Sequence, residues 1–66
     1  MKNHLIARRE QLNLTQKDVA NSIDQMMQAY QRYEYGVSMP SVKAALKIAR
    51  ALDTTVEELF ELEEGD

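Results

Sequence analysis

A chain of 66 residues without a single cysteine has to be held together by apolar burial alone, because neither a disulfide framework nor a thiolate zinc site can staple it. Chains of this size bury only roughly 60% of the surface their unfolded form exposes. One small domain is therefore expected, with no room for a second. Hydrophobic residues make up 44% of the sequence and charged residues 29%, a globular balance rather than a disordered one. Apolar runs as short as Leu5-Ile6-Ala7 do not make a membrane span, and no long apolar stretch follows Met1-Lys2-Asn3-His4 as it would in a secretory signal. A cytoplasmic location is expected.

Two glycines, one proline and many good helix formers point to an all-α domain, and the periodicity agrees. Leu5, Ile6, Arg9 and Leu12 fall at helical spacing with Asn3 as an N-cap, predicting a first helix over roughly 3–12 that ends at Asn13 in the left-handed conformation. Thr15 and Asp18 form a capping-box-like start for a short second helix over about 15–22, with Val19, Ala20 and Ile23 as its apolar stripe. Asp24-Gln25 breaks that stripe. Tyr30 and Tyr33 resume it on a third helix over roughly 26–35, closed by Gly36. Pro40 and Ser41 open a fourth helix over roughly 41–52, with Val42, Ala45, Leu46, Ala49 and Leu52 on one face. Thr55 and Glu58 cap a short fifth helix carrying Val56, Leu59 and Phe60. The acidic tail, residues 61–66, either frays or pairs as an edge strand through Glu61-Leu62.

The net charge of -3 argues against an acidic partner until it is divided along the chain. Residues 1–50 carry all eight basic groups against four acidic ones, a balance of +4, whereas residues 51–66 carry seven acids and no base, a balance of -7. A basic working face held away from an acidic end fits this division, and so does an ordinary surface with a solvated tail. Catalytic chemistry is poorly supplied. His4 is the lone histidine, the carboxylates cluster where no pocket would split their pKa values, and two glycines make no phosphate loop. No enzyme, metal or cofactor is expected.

Two short helices joined by a tight turn suggest a helix-turn-helix that reads DNA. Ala20 is small enough for the third helix to approach closely, and Gln28, Gln31 and Arg32 project outward if Tyr30 and Tyr33 face in. Gln can make a bidentate contact to adenine and Arg to guanine.

The blocks Arg9-Glu10-Gln11-Leu12-Asn13-Leu14-Thr15-Gln16, Val19-Ala20 and Arg32-Tyr33-Glu34-Tyr35-Gly36 stand at characteristic mutual spacings. They are followed by Pro40-Ser41-Val42, by the run from Leu46 to Leu52, and by Val56-Glu57-Glu58-Leu59-Phe60. With them the chain resembles the Cro/CI-like (XRE-type) helix-turn-helix repressors of phages and bacteria. The resemblance implies a compact five-helix bundle of the lambda-repressor-like DNA-binding type over residues 3–60, with the third helix in the major groove of double-stranded DNA. It also implies roles. Met27, Gln28, Gln31 and Arg32 would face base edges. Thr15, Gln16, Ala29, Tyr35, Ser38 and Lys43 would hold the DNA backbone, and Arg9 and Glu34 would form an ion pair tying the first helix to the third.

Departures from the family pattern are specific. Asp24 stands where relatives commonly have Gly, which implies a slightly strained turn. Met26 and Met27 replace the usual capping and polar residues, with Met26 expected inward as core and Met27 outward against a thymine methyl. Tyr30 and Tyr33 replace aliphatic core residues, so each hydroxyl needs a partner. A single copy reading four or five bases would regulate poorly, so a homodimer is expected, with Leu59, Phe60 and Leu62 as its interface. The rival expectation is an antitoxin-like or adaptor protein-binding module on the same fold.

Overall fold

The computed structural model describes residues 1–66. Its elements run β1 (Lys2–Asn3), α1 (Leu5–Gln11), α2 (Gln16–Ser22), α3 (Met27–Glu34), α4 (Val42–Ala51), α5 (Val56–Leu59) and β2 (Phe60–Glu61). The five expected helices are present, each trimmed by a residue or two at its ends. No helix is long and apolar enough to cross a membrane.

Start signals act locally, as the sequence implies. Thr15 accepts from the Asp18 N–H at 3.0 Å while the Asp18 carboxylate accepts from the Thr15 N–H at 2.8 Å, so both halves of a capping box form. Ser41 and Thr55 cap α4 and α5 through the N–H groups of Ala44 and Glu58. Asn3 is not the cap position of α1, because it belongs to β1 and the helix begins two residues later. Its side chain still accepts from the Leu5 N–H at 3.1 Å and donates to the Tyr33 carbonyl at 3.2 Å.

Four helices also stop alike. After α1, α2, α3 and α4 the chain turns through a left-handed residue, Asn13 (φ 56°), Asp24 (φ 57°), Gly36 (φ 73°) and Asp53 (φ 53°). In each case two N–H groups fold back onto the last turn: Leu14 to the Arg9 carbonyl, Gln25 to Ala20, Val37 to Arg32 and Thr54 to Ala49, with the left-handed residue's own N–H bonding one position further on. This is the Schellman arrangement, and it satisfies carbonyls that the helix would otherwise strand.

The core gathers Leu5, Val19, Ala20, Ile23, Tyr30, Ile48, Ala49, Leu52 and Leu59, all at most 4% exposed. The face of α4 differs from the expected one. Ala44, Ala45, Ile48, Ala49 and Leu52 are buried, whereas Val42 and Leu46 are 79% and 58% exposed. The helix is rotated so that Ile48 fills the interior and the Val42–Leu46 row faces out. The tail does pair as a strand, one residue earlier than expected. Phe60 and Glu61 lie antiparallel to Asn3 and Lys2, and the His4 N–H extends the closure to the Leu59 carbonyl at 2.8 Å.

Candidate nucleic-acid interface

The turn between α2 and α3 aims the third helix. Ala20 is 1% exposed, so nothing bulkier than a methyl separates α2 from its neighbours there. Tyr30 points inward and is fully buried, and Tyr33 is half-buried with its hydroxyl donating to the Gln25 side chain at 2.9 Å. With these two rings facing the core, helical periodicity turns Gln28 and Arg32 to solvent. Gln28, Ala29, Arg32 and Ser38 line one shallow concavity together with Gln25, Met26 and Tyr33. Arg32 is free of ion-pair partners, as are Lys17 and Lys43.

Met27 is 39% exposed at the start of α3, on the outside as expected. Met26 is not core. It is 73% exposed, because it occupies the N-cap position of α3 with extended backbone (ψ 148°), where its side chain leaves the helix face that packs inward.

Beneath the exposed face lies a polar network. Arg9 Nε donates to Glu34 Oε2 at 2.6 Å and Arg9 Nη2 donates to Oε1 at 3.3 Å, while a third donor reaches the Leu14 carbonyl at 3.0 Å. The pair is 14% exposed on the Arg9 side chain and 0% on Glu34. Burial works against the Glu34 charge, yet the hydrogen bonds from the Arg9 guanidinium and the Gln16 amide hold its carboxyl below the usual range. Burial first, and the nearby Glu34 carboxylate second, push the Tyr30 phenol far above its ordinary pKa. Proximity is not bonding here. The Tyr30 hydroxyl is buried and makes no hydrogen bond of acceptable geometry.

Gln16 and Gln31 enter the same network. Gln16 Nε2 donates to Glu34 Oε1 at 2.9 Å and to the Tyr35 hydroxyl at 3.2 Å, and Gln31 Nε2 donates to Gln16 Oε1 at 2.9 Å. Sequence spacing alone offers Gln31 as a freely projecting reader, but in the fold its amide is engaged by α2. Thr15 keeps its hydroxyl proton free while its oxygen caps α2. Tyr35 is 62% exposed, Ser38 is exposed in the loop after α3, and Lys43 is exposed on α4 in a separate hollow with Val42, Leu46, Lys47 and Arg50.

Two features escaped the sequence reading. Arg8 donates to the carbonyls of Leu52 and Asp53 at 2.8 and 2.9 Å, locking α1 to the end of α4; an Arg next to Arg9 in sequence gives no local signal of this. An apolar groove, lined by Met1, Met39, Pro40, Val42, Leu46, Val56 and Phe60, opens beside the tail. Of the three residues expected at a dimer interface, Leu59 is 1% exposed and belongs to the domain's own core, so it has no surface to offer a partner. Phe60 is half-buried in the groove and Leu62 is 81% exposed.

Residues 5–59 match the sequence model of a helix-turn-helix family. The chain is also 34% identical over 59 residues to the cryptic phage CTXphi transcriptional repressor RstR of Vibrio cholerae serotype O1, covering 89% of the chain and 53% of that repressor. It thus spans about half the length of this curated relative. With five helices in this order, a capped α2, a tight turn and an outward-facing α3, the chain belongs to the XRE-type helix-turn-helix family.

Proposed function

We propose that the protein is a sequence-specific double-stranded DNA-binding transcriptional regulator, a repressor, that reads operator half-sites with α3 in the major groove as a homodimer. The observation that carries this reading is the outward face of α3. Gln28 and Arg32 stand free in one concavity, on a helix fixed from beneath by the Arg9–Glu34 pair. Met27 beside them suits a thymine methyl, and the free Thr15 hydroxyl proton, Ser38 and Lys43 suit phosphate oxygens. The named function of the phage relative supports the same reading.

Pairing is supported by the apolar groove, which Phe60 helps to line, and by the exposed Leu62, whereas Leu59 takes no part. A two-fold arrangement would set two α3 helices about 34 Å apart, one turn of duplex. Selection of bound sequences from a random duplex pool, with binding then measured between about 50 and 200 mM salt, tests the reading. A palindromic site is expected, with affinity falling steeply as salt rises. Arg32→Ala should relax preference at one base pair. Identical binding of wild type and Arg32→Ala to operator and random duplexes would remove it. Leu46→Glu should reduce both dimer mass in light scattering and operator affinity.

A protein-binding module on the same fold is the second reading, favoured by the exposed thioethers of Met26 and Met39, 73% and 69% exposed. Flat salt dependence with no selected duplex would favour it.

A further inference from the structure

Gln31 sits on α3 beside the expected readers, but its hydrogen bonds run the other way. Its Nε2 donates to Gln16 Oε1, and Gln16 Nε2 donates both to Glu34 Oε1 and to the Tyr35 hydroxyl oxygen. The direction of this chain is forced from its buried end. The Glu34 carboxylate, fully buried and held by Arg9, can only accept, so Gln16 has to turn its NH2 toward it. The Gln16 carbonyl oxygen then faces Gln31 and can only accept. A flipped Gln16 amide would set its oxygen against the Glu34 carboxylate and lose that bond, so the carboxylate fixes Gln16 and Gln16 in turn fixes Gln31 as its donor. Both amide hydrogens of Gln16 are thereby used, one on Glu34 and one on Tyr35. Since the Tyr35 oxygen accepts from Gln16, its own proton is left to point elsewhere, on a side chain that is 62% exposed.

We propose that Gln31 is a positioning residue rather than a base reader: with Gln16 it fixes the Tyr35 hydroxyl as an outward donor to a DNA phosphate at the end of α3. Phosphate oxygens supply acceptors only, which matches a hydroxyl whose acceptor side is already occupied. The consequence is a division of labour along one helix. Gln28 and Arg32 carry sequence preference, while Gln31 contributes affinity that does not depend on sequence.

This inference rests on the DNA reading proposed above, and its test separates the two. Binding of the full chain to its selected operator, to single-base variants and to a random duplex is measured for wild type, Gln31→Ala, Tyr35→Phe and the double variant, with thermal melts of each. Each single change is expected to weaken binding about three- to tenfold on every duplex alike. The double variant should be no weaker than the weaker-binding single, because both changes cut one chain. Gln31→Met, which keeps the length of the side chain but cannot donate to Gln16 Oε1, is measured in the same way and carries the test should Gln31→Ala lower the melting temperature. A changed preference at one base pair in Gln31→Ala, losses that multiply in the double variant, or no loss at all would overturn the inference while leaving DNA reading intact. Wild type that binds no duplex would overturn the DNA reading and this inference with it.

Discussion

Arg9 meets Glu34 through a two-point contact, Nε to Oε2 at 2.6 Å and Nη2 to Oε1 at 3.3 Å, with the carboxylate wholly sealed from solvent. The pair joins α1 to the last residue of α3, so α3 is tied to α1 by a charge that water cannot reach. Such a pair orients more than it stabilises, but stranding one partner is costly, about 3 kcal/mol. Arg9→Met should lose about that much stability in urea unfolding, a large share of what a domain of this size possesses. Arg9→Met combined with Glu34→Leu should recover at least half of the loss, because no buried charge is then left alone. Equal stability of the single and double variants would contradict this account.

The same pair sets the response to acid. Glu34 has a depressed pKa in the fold despite its burial, and Asp18 is depressed as well, chiefly by its hydrogen bond to the Thr15 backbone. A carboxylate depressed in the folded state binds fewer protons there than when unfolded, so its stabilisation is complete above the ordinary carboxylate pKa of about 4. It is lost as pH falls from that value through the folded one. The melting temperature should therefore be flat from neutral pH down to about 5 and drop below it. Glu34→Gln should melt lower at neutral pH and show a shallower acid slope. A parallel slope in wild type and Glu34→Gln would assign the acid response to other carboxylates.

Tyr30 offers the opposite case, a polar atom in the core with no partner. Its hydroxyl lies near the Arg9–Glu34 pair without completing a hydrogen bond. Removing an unsatisfied buried group of this kind is neutral or favourable, because the desolvation cost disappears and no bond is broken. Tyr30→Phe should leave stability unchanged or raise it by up to about 1 kcal/mol. A loss of more than about 1 kcal/mol on thermal unfolding would mean that the hydroxyl does bond to Glu34.

What the sequence discloses here is what neighbours along the chain decide. The Thr15-Asp18 capping box and the left-handed turns at Asn13 and Asp24 depend on residues at most a few positions apart, and all three form. The α4 face does not depend on such neighbours. Val42 and Leu46 fit a helical stripe as well as Ile48 does, and only the packing of α2 and α5 selects Ile48 for the interior. The tail is readable as an edge strand near Glu61, but a two-residue strand has no period to detect, so its partner β1 and the register of the pair emerge only on folding. At the candidate site, Gln28 and Arg32 are legible as outward polar groups, whereas the turning of Gln31 back to Gln16 depends on two helices meeting. Leu59 looked like a surface anchor for the same reason that it fills the core, since apolar spacing alone does not say which apolar body will cover it.

Three of the four left-handed helix ends are occupied by side chains that tolerate the conformation less well than glycine does. Asp24 and Asp53 sit at φ 57° and 53°, where an L-residue pays roughly 1 kcal/mol and Asp somewhat less. Glycine relieves that strain but loses more freedom on folding, an opposing effect of about 0.4–1 kcal/mol. Asp24→Gly should therefore gain only about 0.5 kcal/mol or less, raising the melting temperature by a few degrees. Gly36→Ala runs the other way. Its added methyl would meet nothing within 4 Å, so the whole cost is the backbone at φ 73°, about 1 kcal/mol or a fall of about 4–8 °C. Because Gly36 ends α3 directly after the Arg9–Glu34 contact, Gly36→Ala should also weaken DNA binding, whereas Asp53→Gly at the end of α4 should leave it unchanged. Equal effects of the two on operator affinity would show that the end of α3 has no special part in DNA binding.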